Sequence, residues 1–234
     1  MNVEINRIEK RLIDLIRKPN KTQDEISEKE RLRSLFGKAL KENEKPLTED
    51  LVKVGLKVTS CWDLVNKESS YPEAIPILIE HLSNPYHHKI KEGIIRALTV
   101  KEAKGKAGKK LLEEFNKTPK DSLDIPWLIG NAMTVVISRE DIDGVIQIVK
   151  NKENGNSREH FVEALGNIKS EKSEKVLVDL LDEDELTLYA LKALGRLKYQ
   201  ISNSKIMELL KHKDIEIQKE AKKALKSINK IRRK

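Results

Sequence analysis

Cysteine and aromatic residues are scarce in this chain of 234 residues, which has one Cys, two Trp, four Tyr and three Phe. The single cysteine, Cys61, excludes an internal disulfide and a cysteine-rich metal cluster, as expected in a reducing compartment. We expect Cys61 to be a small buried hydrophobe, because no Ser/His/Asp or Cys/His set accompanies it. The few aromatic side chains leave little material for stacking on nucleic-acid bases.

Long apolar segments and flexible segments are also lacking. No run approaches the roughly 20 apolar residues that cross a bilayer. The first residues mix apolar with charged side chains and lack the core of a signal peptide. Gly and Pro number only ten and seven, while 38% of the residues are hydrophobic and 36% are charged, which is typical of a thin helical core between two exposed surfaces. We therefore expect a cytoplasmic protein that does not contact membranes.

The main positive feature is a repeat. The segments "IIRALTV", "FVEALGNIK", "YALKALGRLK" and "EAKKALKSIN" place a common alanine at positions 97, 164, 193 and 224. The last three are 29 and 31 residues apart, and the wider gap before 164 has room for one more unit, centred near Ala132. A period of about 30 residues without strand signals is typical of stacked helix pairs. The sequence thus predicts an all-α fold, an α-solenoid (HEAT/armadillo-like superhelix) of about six helix pairs.

The domain organisation follows from the helix signals. Residues 3–17 carry an amphipathic stripe, and Thr22 with Glu25 fits the capping box of a second helix. "NEKPLT" at 43–48 predicts a break, after which Thr48 caps a helix that runs to about residue 66. We predict an N-terminal helical cap, 1–46, continuous with a repeat solenoid, 47–234. First helices are predicted at 72–83, 106–117, 140–151, 172–182 and 204–212, and second helices at 86–99, 123–137, 157–168, 185–197 and 215–230.

The unit "EKVLVDLLDEDELTLYALKALGRLK", residues 174–198, resembles a short HEAT-like repeat of the phycobilisome-lyase type. Members of this superfamily include binding scaffolds, lyase subunits and a DNA-repair branch, so the resemblance implies the fold more than a function. More narrowly, "YPEAIPILIEHLSNPYHHKIKEGIIRAL" followed by "NGNSREHFVEALG" is similar to bacterial HEAT-repeat proteins, some of them immunity or accessory proteins for secreted toxins. This resemblance implies a toxin domain as partner.

In solenoids of this type the second helices line the concave surface, so the residue before each repeated alanine should form a row across units. The row consists of Arg96, Asn131, Glu163, Lys192 and Lys223, with Tyr189 and Arg196 beside it. A strip of mixed charge with few aromatics suits a protein surface or peptide better than an apolar small molecule. Trp127 would be an anchor residue if it is exposed. The alternative is that these are ordinary solvated helix positions.

The excess of positive charge is concentrated near the C-terminus. Residues 203–234 hold eleven Lys or Arg against four Asp or Glu. This segment is either a solvated cap of the solenoid or a phosphate-binding patch. The candidate nucleic-acid patch consists of Lys219, Lys222, Lys223, Lys226, Lys230, Arg232 and Arg233.

Catalytic signals are weak. Trp62-Asp63 invites comparison with the HEAT-like alkylpurine DNA glycosylases, in which a carboxylate and aromatics on the concave face act on a modified base, but no matching aromatics and arginine follow downstream. A lyase-like enzyme acting on a tetrapyrrole is a weaker alternative with no dedicated residue. The histidines, His87 and His88 included, lack metal-ligand spacing, and we assign neither a metal nor a cofactor. A helix N-terminus near Arg158 could hold an anion weakly.

The leading hypothesis from the sequence is a non-enzymatic scaffold that engages a protein partner on its concave face, with a toxin domain as the specific case. A basic protein fits poorly with inhibiting a nuclease, whose inhibitors tend to be acidic, so we expect an acidic partner or a toxin of another class. The competing hypothesis is a nucleic-acid-binding protein that uses its basic C-terminal segment.

Overall fold

The computed structural model describes residues 2–65, 67–119, 122, 124–197 and 204–229. Within these ranges the chain forms thirteen α-helices, joined in places by short 3-10 turns, and no strand. The all-α prediction is confirmed. The helices are α1 Asn2–Arg17, α2 Gln23–Lys53, α3 Trp62–Val65, α4 Ala74–His81, α5 His88–Ala97, α6 Gly108–Lys117, α7 Asp124–Val136, α8 Ile142–Lys150, α9 Arg158–Leu165, α10 Glu171–Asp179, α11 Asp184–Leu197, α12 Ser204–Glu208 and α13 Ile215–Asn229.

The chain divides into two compact units, Met1–Ala97 and Leu98–Lys234. The predicted organisation into a cap, 1–46, and a solenoid, 47–234, stays a prediction. Every predicted helix of the later pairs has an observed counterpart, with ends that differ by a few residues. Counting α1 with α2 and α4 with α5, the described helices form six pairs, and the short α3 stands outside them.

The second unit is a regular ladder of helix pairs. Each first helix packs on the second helix that follows it, and α7, α9, α11 and α13 pack on one another in chain order. Equivalent hydrogen bonds join successive second helices: the Asn167 amide donates to the Thr134 carbonyl at 2.6 Å, and the Ser227 hydroxyl donates to the Gly195 carbonyl at 2.8 Å. Both donors lie three residues after the repeated alanine, so the sequence period is also the structural period.

The first unit begins with α1 packed on α2, through the buried side chains of Leu12, Leu15 and Leu32. Thr22 forms the predicted capping box with Glu25, which starts α2. The pattern that places Leu12 and Leu15 on one face of α1 also leaves its charged residues outside, as expected of an amphipathic helix.

The predicted break at 43–48 is wrong, because α2 continues through Pro46 to Lys53. A proline in a helix interior costs about 3 kcal/mol, so tertiary contacts must outweigh it. Leu47 is fully buried, and the buried Glu44 carboxylate accepts hydrogen bonds from the Cys61 amide at 2.5 Å and the Ser60 hydroxyl at 3.1 Å. Thr48 caps no helix; its hydroxyl donates to the Lys45 carbonyl at 3.0 Å.

Among the described residues, no helix combines the length and apolar character that a membrane span requires.

Candidate binding surface

Apart from Arg96, the predicted row of residues lies on the second helices of the second unit. On α11 the apolar side, including Leu191 and Leu194, is buried, while Tyr189 and Lys192 are half-buried and Arg196 is exposed. The same pattern repeats on the neighbouring helices, because each repeated alanine is buried. We call the following set the second-helix face: Trp127, Asn131, Glu163, Tyr189, Lys192, Arg196 and Lys223.

Glu163 on α9 is the charged centre of this face. Its carboxylate lies 3.5 Å from the Arg196 guanidinium and 3.9 Å from the Lys192 ammonium, both on α11. The carboxylate side chain is 20% exposed, while the two cations are about twice as exposed, at 39% and 41%. The sequence-predicted residues Glu163, Lys192 and Arg196 are therefore brought together as one ionic group that remains open to solvent.

Tyr189 lies beside this group. The Lys192 Nζ is 5.2 Å from the centroid of the Tyr189 ring, within the range of a cation–π interaction. Partial burial, with a hydrogen bond to the Glu159 carboxylate and the negative charge of Glu159 and Glu163, raises the pKa of Tyr189 to about 12. The phenol consequently stays protonated throughout the neutral range and donates its hydrogen to Glu159.

Trp127 on α7 is exposed by 45%, as the anchor hypothesis requires. Its ring meets the His160 ring of α9 edge to face, with centroids 4.7 Å apart. Neither ring nitrogen of His160 has a hydrogen-bond partner, although both are shielded from solvent. Sequence reasoning missed His160 and Glu159. Glu159 and His160 precede Glu163 by four and three residues, which places all three on the same side of α9. This spacing is the pattern that could have indicated them.

The remaining members of the predicted row are less informative. Asn131 is half-buried on α7. Lys223 on α13 is 72% exposed and pairs with Glu220 at 3.0 Å, within its own helix. Arg96 belongs to α5 in the first unit, where it pairs with Glu92 at 3.1 Å. Only the members of the row that belong to the second unit therefore form one surface.

The candidate nucleic-acid patch is described in part. Lys219, Lys222, Lys223 and Lys226 are all exposed on α13, opposite a buried side that includes Ala221. Their spacing of three, four and seven residues aligns them along one face of the helix. Lys230, Arg232 and Arg233 lie outside the described residues.

Trp62-Asp63 has a local structural explanation. The Asp63 carboxylate accepts hydrogen bonds from the Thr59 amide at 2.7 Å, the Thr59 hydroxyl at 3.0 Å and the Ser60 amide at 3.1 Å. The Thr59 amide is the main cause that lowers the pKa of Asp63. The half-buried Trp62 ring donates to the Lys89 carbonyl at 3.2 Å. The neighbouring Cys61 is buried as predicted, and burial raises the pKa of its thiol.

Arg158 offers little to an external anion. Its side chain is 3% exposed and lies 3.0 Å from the Glu183 carboxylate, just before α11. It also donates to the Val149 carbonyl at 3.2 Å and the Gly155 carbonyl at 3.3 Å. We therefore interpret Arg158 as a link between consecutive helix pairs.

A third group of polar residues lies in the first unit, where α1 meets the start of α5. The Glu9 carboxylate is 2.8 Å from His88 Nε2 and 3.3 Å from His87 Nε2. One donor atom from each of the three residues lies within 4.8 Å of the other two. The spacing of the two histidines in the sequence indicates no metal site. Their third neighbour, the Glu9 carboxylate, comes from a helix almost 80 residues earlier, and local spacing does not reveal such a contact.

Neither protein-family models nor curated protein sequences match this chain. The similar solved structures include an engineered protein with 16% identity and a TM-score of 0.46, covering 73% of this chain and 89% of the other. A designed armadillo repeat protein in complex with a (KR)4 peptide has 14% identity and a TM-score of 0.47, covering 93% and 98%. A second designed armadillo repeat protein has 13% identity and a TM-score of 0.44, covering 93% and 98%. Because these TM-scores are low, the solenoid assignment rests on the helix packing of this chain.

Proposed function

We propose that the protein is a non-enzymatic scaffold that binds a protein partner on its second-helix face. The observation that carries this proposal is the exposed Trp127 on the same face as the open ionic group of Glu163, Lys192 and Arg196. Aromatic side chains and arginine are the residues that most often dominate the energy of protein interfaces. The second-helix face combines an apolar anchor with charges that can orient a partner.

An acidic segment is the partner chemistry that this face favours. Lys192 and Arg196 approach Glu163 at 3.5 to 3.9 Å and remain about 40% exposed, so their pairing is loose. Exposed ion pairs contribute only about 0–1 kcal/mol. A carboxylate of the partner can therefore replace Glu163 at little cost, while an apolar partner residue covers Trp127. The Tyr189 hydroxyl already donates to Glu159, so beside the same cations it can only accept a hydrogen bond from the partner.

The finer identity of the partner rests on sequence resemblance. The similarity to bacterial HEAT-repeat proteins supports a toxin domain as the partner and an immunity role for this chain. The composition supports a cytoplasmic location. The toxin-domain partner, the immunity role, the cytoplasmic location and the absence of enzymatic activity are all part of the proposal.

The test is affinity capture from native lysate at moderate salt, with and without nuclease, followed by calorimetric titration of the captured protein. Two variants address the surface: Trp127→Ala, and the double charge reversal Lys192→Glu with Arg196→Glu. The matched control reverses two exposed lysines on first helices of the same unit, Lys150→Glu with Lys175→Glu. We expect the surface variants to lose binding at unchanged circular dichroism, and the control to retain it. If all variants bind with equal affinity, the second-helix face is not the binding surface.

Nucleic-acid binding is the second candidate, and the aligned exposed lysines of α13 favour it. Counterion release makes log K fall by about 0.9 per neutralised duplex phosphate for each unit of log salt. If Lys219, Lys222, Lys223 and Lys226 each neutralise one phosphate, the slope is about −3.6, and Lys222→Gln reduces its magnitude by about 0.9. Fluorescence anisotropy with a labelled duplex measures this slope. If the duplex does not bind even at low salt, nucleic-acid binding is excluded and binding of a protein partner remains.

A further inference from the structure

We propose that Glu9, His87 and His88 form a binding site for a divalent transition-metal ion, zinc in the first instance, that fastens α1 to the start of α5. The three residues belong to the first unit and are separate from the second-helix face. One imidazole lies in the turn before α5, the other is the first residue of α5, and the carboxylate comes from α1.

The positions of the donor atoms carry the proposal. His88 Nε2 lies 2.8 and 3.0 Å from the two carboxylate oxygens of Glu9, and His87 Nε2 lies 3.3 Å from one of them. The centroids of the two imidazole rings are 4.3 Å apart. Zinc bonds of about 2.0–2.2 Å place tetrahedral donor atoms about 3.4 Å from one another. The observed separations therefore require only small side-chain movements to receive the ion.

The second, independent observation is the state of His87. Its side chain is fully buried, and Nε2 points toward Glu9 without an aligned hydrogen bond to any group. A buried polar nitrogen whose one contact, the Glu9 carboxylate at 3.3 Å, is poorly aligned is costly and calls for an explanation. A metal ion between the three residues would satisfy this nitrogen and use the carboxylate that already faces it.

The surroundings fix the His87 ring before any ion binds. The Asn43 carboxamide oxygen accepts a hydrogen bond from the His87 backbone amide at 2.9 Å, and the Phe36 ring packs edge to face against the imidazole, 5.6 Å between centroids. His87 Nδ1 accepts a long contact from the Lys89 amide at 3.3 Å. Metal binding through Nε2 leaves the proton on Nδ1, so this contact breaks when the ion binds.

Two imidazoles and one carboxylate are a donor set that zinc accepts in proteins, with water completing the tetrahedron. Water has access from the side of His88, whose side chain is 45% exposed. Near the N-terminus of α1, the Asn2 amide donates to the Pro85 carbonyl at 2.6 Å. An ion bound by Glu9 and the histidines would add a second fastening further along α1, so we assign the metal a structural role.

The experiment is isothermal titration of Zn²⁺ into the full chain, prepared without a histidine tag and treated with a chelator. We expect one equivalent to bind and the melting temperature to rise with zinc concentration. Glu9→Gln and His88→Gln should each weaken binding by at least about tenfold, since even outer-shell changes at metal sites cost about 10- to 100-fold. The matched control is His212→Gln, which removes a histidine of the second unit and should leave the affinity unchanged.

Substitution with Co²⁺ gives a readout that a purely structural effect would not produce. We expect visible absorption of the bound ion in the parent chain and its loss in His88→Gln, which alters a partly exposed side chain and should fold normally. The proposal is overturned if the parent chain binds no zinc stoichiometrically. It is also overturned if Glu9→Gln and His88→Gln bind zinc as tightly as the His212→Gln control.

Discussion

Gly166, directly after α9, lies so close to Ala193 of α11 that a Cβ added to the glycine would be 2.6 Å from the Ala193 Cα. The same carbon would be 2.8 Å from the Ala193 carbonyl oxygen, so the backbone itself would have to move. The equivalent pair in the next repeat is Gly195 and Ala224, where the corresponding distance to Cα is 3.3 Å. The recurrent "ALG" is thus a contact between the second helices of successive pairs, with glycine on one and alanine on the next.

Gly166→Ala should destabilise the protein by about 1–3 kcal/mol, because overpacking at an immobile neighbour forces backbone shifts. Gly195→Ala should cost less, since its neighbour is farther away. Gly144→Ala is the control, because its new methyl would meet only the tip of the Leu112 side chain, which can move. Urea denaturation of the three variants gives the free energies of unfolding. If Gly166→Ala and Gly144→Ala lower the free energy of unfolding equally, Gly166 does not make the close contact with Ala193.

A second prediction compares two ion pairs that join consecutive helix pairs. Arg158 is buried against Glu183, whereas Lys172 and Asp143 pair at 2.8 Å with both side chains 68% exposed. Arg158→Met should lower the free energy of unfolding by about 3 kcal/mol, because it breaks a buried pair and leaves two carbonyl groups without their donor. Lys172→Met should cost less than about 1 kcal/mol. Denaturation curves that give the same loss for both would rule out the linking role of Arg158.

The repeat could be predicted from the sequence because the buried alanine recurs about every 30 residues, and this period also marks the polar positions beside it, such as Lys192. What the period cannot specify is which side chains meet across helices. The pairing of Trp127 with His160 depends on how far α7 and α9 are displaced along each other. Glu9 reaches His88 through the folding of α1 onto a distant turn, which local spacing does not record.

The environment of Tyr189 leads to a third prediction. Burial and the Glu159 carboxylate raise its pKa to about 12 in the folded chain, against about 10 for an unperturbed tyrosine. The protonated phenol therefore contributes stability that is complete below pH about 10 and is lost as the pH rises toward about 12. Ultraviolet difference titration against Tyr189→Phe should show this phenol ionising late, and Glu159→Gln should lower its pKa. An ordinary pKa in the parent chain would mean that the Glu159 contact does not form in solution.

The helix α2 gives the last prediction, because the sequence and the structure disagree at Pro46. In a continuous helix this proline supplies no amide hydrogen for the Glu42 carbonyl and crowds it, at a cost of about 3 kcal/mol. Pro46→Ala should therefore stabilise the protein by about 2 kcal/mol, after allowing about 0.4–1 kcal/mol for the greater freedom of the unfolded chain. Pro19→Ala, which alters an exposed proline between α1 and α2, is the matched control and should bring no gain. Urea denaturation measures both. If Pro46→Ala is neutral or destabilising, the chain breaks near residues 43–48 as its sequence predicts, and Leu47 with Leu51 would belong to a separate helix.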